Sequence, residues 1–257
     1  MMKRIKAASR VASIHLAGVL VLIAIAAYLI FKIWFPYPYY KTSGGGNLFL
    51  FLCAVSLICG PLLTLVLFDG SKSRFKLWID AILITAIQIA SLAYVLHGIA
   101  QARPAYLAYE GNRFRVVTLR DIDPTRLAEA RPEFRAFGYG GPRLVGAKLA
   151  EATDPNYRQS IMESLQGLHP SFRPERWVPY ESQRAALLAE LKPMAALKSK
   201  HPQAEASIEQ ALQKHSLTDD SAGYLPLDAQ KADPADWVVI VERASGQPRA
   251  FLPLDGW

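Results

Sequence analysis

The sequence predicts a membrane α-helical anchor of three transmembrane helices, followed by a small α+β domain with antiparallel hairpins. Three observations lead there. Two uncharged runs, Leu48–Phe68 with 21 residues and Ala81–Ala102 with 22, are separated only by the short, charged stretch Asp69–Lys76. A third uncharged run of 21 residues, Val11–Phe31, precedes them. Beyond Arg103 the apolar residues change to short alternating runs punctuated by Gly and Pro. A span needs about 20 apolar residues to cross roughly 30 Å of hydrocarbon. Three such helices in tandem are hard to bury in a soluble core. The anchor is therefore residues 1–103, with spans at about 11–33, 48–68 and 79–102, and the soluble domain is residues 104–257.

The charge distribution sharpens this division. The chain carries a net +7, but residues 1–103 hold ten Lys/Arg against two Asp/Glu, a net of +8. Residues 104–257 hold 19 against 20, a net of −1. The basic excess belongs to the anchor, so nucleic acid is not an expected partner. Both cysteines, Cys53 and Cys59, lie six residues apart in one span and cannot reach each other for a disulfide. The soluble part has no cysteine, which excludes a disulfide scaffold or zinc ribbon there.

The N-terminus begins with Lys3, Arg4, Lys6 and Arg10 before its apolar run. A cleaved signal has this pattern, but its core is usually about 7–15 residues, so the longer run favours a retained span. Basic residues mark cytoplasmic loops. The N-terminus has four, the 36–46 loop has Lys41 alone, and the second turn has Lys72, Arg74 and Lys76. The N-terminus and second turn are thus expected in the cytoplasm, and the first loop and C-terminal domain outside it. Trp34, Phe35, Tyr37, Tyr39 and Tyr40 then form an outer aromatic belt, and Trp78 marks the inner interface.

Polar and small residues interrupt the spans. Cys53, Ser56, Gly60 and Thr64 are spaced 3, 4 and 4 apart and share one helical face. Such a stripe lets another helix approach closely. Pro61 should kink its helix. Asp80, Gln88, Ser91 and Tyr94 fall within about 120° of one another on the third span. Gln88 is the most informative, because an amide at mid-bilayer wants a partner inside protein. Packing among the three spans accounts for these residues; a docking face for a further membrane helix is the sharper reading. Asp80 is expected at the interface near Lys76. His15 and His97 lie near span ends, where a lone His is ordinarily solvated or bonded to backbone.

In the soluble part, Ala105–Glu110 and Arg113–Leu119 around Gly111-Asn112 read as a β-hairpin. Asp123-Pro124 reads as a helix start that runs to about Arg131. Phe137–Pro142 is a glycine-rich loop, followed by a strand over Arg143–Leu149. Asp154-Pro155 repeats the capping signal and opens a helix to about Gln166. Tyr180–Ser199 has helical periodicity with Pro193 bending it, and Pro202–His215 is a further helix. Trp237–Arg243 and Pro248–Leu254 form a second hairpin. Trp257 is expected to dock rather than fray.

Catalytic signatures are thin. Ser73-Arg-Phe-Lys76 fits Ser-x-x-Lys, but it lies on the basic turn without partner motifs. Phe137–Gly146 has neither dinucleotide nor P-loop spacing. His169, His201 and His215 do not pair at ligand spacing, and Asp219-Asp220 reads as a solvated loop. No enzyme, cofactor or metal is expected.

Phe35-Pro36, Gly60-Pro-Leu-Leu-Thr-Leu-Val-Leu-Phe68, Asp80, Gln88, Tyr94 and Gln101-Ala-Arg-Pro-Ala-Tyr106 with Arg113-Phe114 resemble the TfpX/TfpZ family of type IV pilin accessory proteins. The resemblance covers residues 10 to about 118, with a variable domain beyond. It implies a bacterial inner-membrane protein, with a periplasmic C-terminal domain, that handles the major type IV pilin as a chaperone or assembly factor. Ser56, Gly60, Thr64, Asp80, Gln88, Ser91, Tyr94 and Arg103 are then candidate contacts for the pilin's membrane helix, and the C-terminal domain for its head. The family brings no catalytic residues. A periplasmic sensor or ligand-binding module on the same anchor is the competing reading.

Overall fold

A computed structural model of the chain describes residues 2–69, 72–230, 232 and 236–257, without the side chains of residues 2–5 and 7. Gly70 and Ser71 of the basic turn, and the side chains of Lys3 and Arg4, lie outside what is described. The chain divides into two compact units: Met1–Pro36 with Gly45–Ala102, and Tyr37–Gly44 with Arg103–Trp257. The short segment between the first two spans thus groups with the C-terminal unit.

The first unit contains three helices long and apolar enough to cross a membrane: Ala8–Trp34, Gly45–Leu67 and Arg74–Ala102. The first is α1 (Met2–Tyr28) continued by a π-helical turn at Leu29–Trp34. The second is α3 (Gly45–Leu57), a π-helical turn at Ile58–Leu62, and α4 (Leu63–Leu67). Pro61 sits inside that turn. Proline lacks an N–H and its ring collides with the carbonyl four residues back, and the wider π turn accommodates both defects. The third is α5 (Arg74–Ala102). Ser73 precedes it, and its hydroxyl accepts from the Lys76 N–H at 3.5 Å, so the Ser-x-x-Lys spacing here is a helix start. Large side chains such as Leu20, Ile25, Leu50, Ile82 and Ile89 point outward, as lipid-facing residues do. Phe35 and Phe31 close one end, against Gly45 and Phe49.

The second unit begins with α2 (Tyr39–Thr42) and is built on β1 (Pro104–Tyr109), β2 (Phe114–Thr118), β3 (Arg143–Ala147), β4 (Trp177–Val178), β5 (Lys192–Pro193), β6 (Ala222–Asp228), β7 (Trp237–Glu242) and β8 (Pro248–Leu252). The order is β4-β3-β1-β2-β6-β7-β8, with β5 pairing β6. Both expected hairpins form, β1 with β2 and β7 with β8. The sheet is nevertheless mixed and not purely antiparallel, because β1 runs parallel to β3 and β2 parallel to β6. Turns at Gly111 and Gly246 take φ of 68° and 72°, which glycine adopts without steric cost.

Four expectations change. β6, a central strand, was not expected; Gly223 and Pro226 break its sequence pattern, but its neighbours on both sides hold it. The helix expected over Tyr180–Ser199 is two, α7 (Arg184–Glu190) and α8 (Met194–Lys200), parted by β5. The helix after Asp154-Pro155 starts later, as α6 (Tyr157–Leu165), and the Asp154 carboxylate instead accepts from the Glu151 N–H at 3.2 Å. The Asp123-Pro124 signal does cap a helix: Asp123 accepts from the Thr125 N–H at 2.9 Å, although the helix is 3₁₀, Pro124–Glu129. The last helix is α9 (Glu205–Lys214).

Two apolar clusters hold the unit. Tyr106, Val117, Phe134, Val145, Phe172 and Trp177 form one, and Met194, Leu197, Ile208, Leu212, Val238 and Ile240 the other. Each such side chain contributes roughly 1.5–3 kcal/mol on burial.

Candidate functional site

In the three-helix unit the predicted polar and small residues converge from three spans. Ser56, Gly60, Thr64 and Gln88 are all buried. Gly60 exists for this contact: a Cβ there would stand 2.4 Å from Gln88 Oε1 and 3.2 Å from His15 Nε2. His15 Nδ1 lies 2.7 Å from Thr64 Oγ1, and the Thr64 hydroxyl also donates to the Gly60 carbonyl at 3.1 Å. Gln88 Oε1 has no hydrogen-bond partner among the described residues. The stripe and the amide therefore meet inside the unit. Sequence reasoning did not link His15 to them, because the contact closes over 49 residues of chain.

The other candidates are placed differently. Asp80 forms an ion pair with Lys72 at 2.5 Å. Ser91 is half-buried, and Tyr94 is 80% exposed on the third helix. Arg103 belongs to the second unit, where its guanidinium lies over the Tyr139 ring. A crevice of about 270 Å³ is lined by His15, Thr64, Asp80 and Ile84 among others.

The second unit carries networks of charged residues. Arg115 is buried and pairs with Glu110 at 3.3 Å and Asp228 at 2.8 Å, while Glu110 also accepts from the Ser171 N–H at 3.1 Å. Arg173, also buried, holds Glu163 at 2.6 Å, and Arg126 bridges Glu163 and Glu175 at 3.0 and 3.1 Å. Hydrogen bonding from Arg126 is the main reason the Glu163 carboxyl is held below the usual carboxylate range. Burial pushes the Tyr109 hydroxyl up to about 12, with the Glu190 charge adding to it. Arg126, Glu163, Arg173 and Glu175 border a polar cleft of about 480 Å³. Trp257 is half-exposed but not frayed: the Arg113 guanidinium covers its ring at 4.4 Å, and Lys200 Nζ reaches its carbonyl at 2.5 Å.

One further surface stands out. β8 ends the sheet, and between it and α9 runs a groove of about 830 Å³, floored by Ala211, Ala250, Phe251 and Leu252. Lys214, His215 and Arg249 flank it. Tyr37 reaches in, donating from its hydroxyl to the Phe251 carbonyl at 3.2 Å. Unpaired strand edges are the usual place for another polypeptide to add a strand. Among the described residues no group of His, Cys, Asp and Glu is arranged to hold a metal.

Three apolar helices with a polar interior, followed by a mixed α/β unit, define a membrane protein with a folded appendage. The description "Fimbrial assembly protein FimB" matches residues 3–44. The chain is 32% identical over 240 residues to the fimbrial assembly protein of serogroup I from Dichelobacter nodosus, covering 92% of this chain and 91% of that protein. It is 31% identical over 237 residues to the serogroup E1 protein of the same organism, again covering 92% and 91%. The protein of serogroups C1 and C2 is 34% identical over 123 residues, 48% of this chain and 94% of its own length. The chain belongs to the fimbrial assembly protein family. The match is to that family and not to TfpX/TfpZ in particular. No solved structure matches the chain.

Proposed function

We propose that the chain is a non-enzymatic accessory protein of type IV pilus assembly, of the TfpX/TfpZ kind, that holds the major pilin in the bacterial inner membrane. The observation that carries this is its similarity, over nine-tenths of both chains, to proteins named for fimbrial assembly. Physical features support it. A subunit awaiting assembly presents one apolar helix in the bilayer and a folded head outside. The exposed helical faces here, Tyr94 among them, suit the first, because membrane helices associate by packing and local hydrogen bonds. The groove along β8 suits an extended segment of the second. The buried Gln88–Gly60–His15–Thr64 cluster then fixes how the spans present their outer faces, a positioning role for part of the predicted contact set. In this reading the second unit lies in the periplasm with the head.

Photo-crosslinking in living cells tests the proposal. A crosslinker at Tyr94 and another at Gln210, exposed on α9, should each trap the major pilin. Crosslinks that contain no pilin, in cells with normal pilin levels, would overturn it.

A further inference from the structure

Arg103 is the first residue after the third apolar helix, Arg74–Ala102. It is 7% exposed, yet no carboxylate pairs with it among the described residues; its contact is the Tyr139 ring, 5.7 Å from guanidinium to centroid. Removing an unpaired cation from water costs several kcal/mol, so such groups are ordinarily matched by an anion. Arg143 lines the same small cavity but is exposed. It donates to the Tyr106 hydroxyl at 2.8 Å and the Ala136 carbonyl at 3.1 Å, and has no carboxylate partner among the described residues.

Both arginines line one small cavity of about 20 Å³, together with Phe137, Gly138, Gly140 and Gly141. Among the described residues no acidic side chain lines it. The amides of the three glycines donate to no backbone carbonyl among the described residues. Two arginines without carboxylate partners, beside a glycine-rich loop and a space for one oxygen atom, are the elements of an anion site.

We propose that this cavity receives one phosphate oxygen of a phospholipid headgroup. Arg103 follows in sequence directly on an apolar helix long enough to span a bilayer, and such a span ends near the headgroups. Tyr139, 85% exposed in the same loop, is the amphipathic ring found at membrane–water boundaries. The cavity is too small to enclose a whole phosphate ion. A hold on a single oxygen is weak for a free ion but sufficient at a bilayer surface, where phosphates stand at high effective concentration. The site is independent of whether the chain contacts pilin.

The test uses the full chain purified in a neutral detergent and exposed separately to phosphatidylglycerol, diacylglycerol or inorganic phosphate, with bound species read by native mass spectrometry. The wild type should retain phosphatidylglycerol and not diacylglycerol. Arg103→Gln should lower that retention about tenfold, the value of one charge-assisted hydrogen bond. Gly140→Asp should do the same, since nothing lies within 4 Å of a Cβ there and the new carboxylate competes for the arginines. Should Arg103→Gln fail to fold, Gly140→Asp decides alone. Arg158→Gln, exposed on α6, should change nothing. Retention equal to wild type in the loop variants would overturn the proposal. So would binding of inorganic phosphate without lipid, which would make the source a free ion.

Discussion

The two units keep polar groups inside by different means. In the three-helix unit the buried polar residues are small and uncharged: Ser56, Thr64 and Gln88, joined by His15. In the C-terminal unit buried guanidinium groups, Arg115 and Arg173, anchor ion pairs that reach the surface through Asp228 and Arg126. The surroundings account for the contrast. A lipid-embedded unit has no water at its margin to share the cost of a charge, so close packing and single hydrogen bonds do the work. A sheet unit in water can bury a cation when its carboxylates remain partly hydrated.

This contrast can be broken, starting where the effect is largest. Arg115→Met leaves Glu110 buried without its cation, and breaking a buried pair costs about 3–5 kcal/mol. Thermal unfolding of the full chain should show the sheet's strand signal melting early while helical content persists. Gly60→Leu is next: the added side chain collides with Gln88, and overpacking costs about 1–3 kcal/mol. Here the helical signal in detergent should weaken first and the sheet remain. If both substitutions melt the same structure, the units are not separately stabilised.

The smallest effect is the pH dependence of the Arg126–Glu163–Arg173 network. Glu163 is held below its ordinary value, so its contribution is full above the unfolded Glu value of roughly 4.3 and is lost as pH falls through the lower folded value. The melting temperature of the sheet should therefore fall on acidification below about pH 4. Glu163→Gln should flatten that slope while lowering stability at neutral pH, because it leaves Arg173 unpaired.

The same contrast explains what was legible in the sequence. Span positions follow from apolar length, which lipid imposes locally. The inward face of Gln88 follows from the cost of a lone amide. His15 was missed because its partner lies on another span. In the sheet unit the hairpins were legible, since turn and strands are contiguous. β6 was not, because its Gly and Pro are tolerated only with β5 and β7 beside it. Nor was the Glu110–Arg115–Asp228 network, whose members come from separate strands and a loop. The unpaired state of Arg103 could not be read either, since it depends on where the Phe137–Pro142 loop folds back.

In the proposed reading, three apolar helices carry the α/β unit across the bilayer from the N-terminus, to the side where an unassembled fimbrial subunit would wait. A fusion of alkaline phosphatase after Trp257, an enzyme active only outside the cytoplasm, tests it most directly. Strong phosphatase activity in intact cells is the expected result. An inactive fusion, with a cytoplasm-only reporter active at the same position, would contradict it.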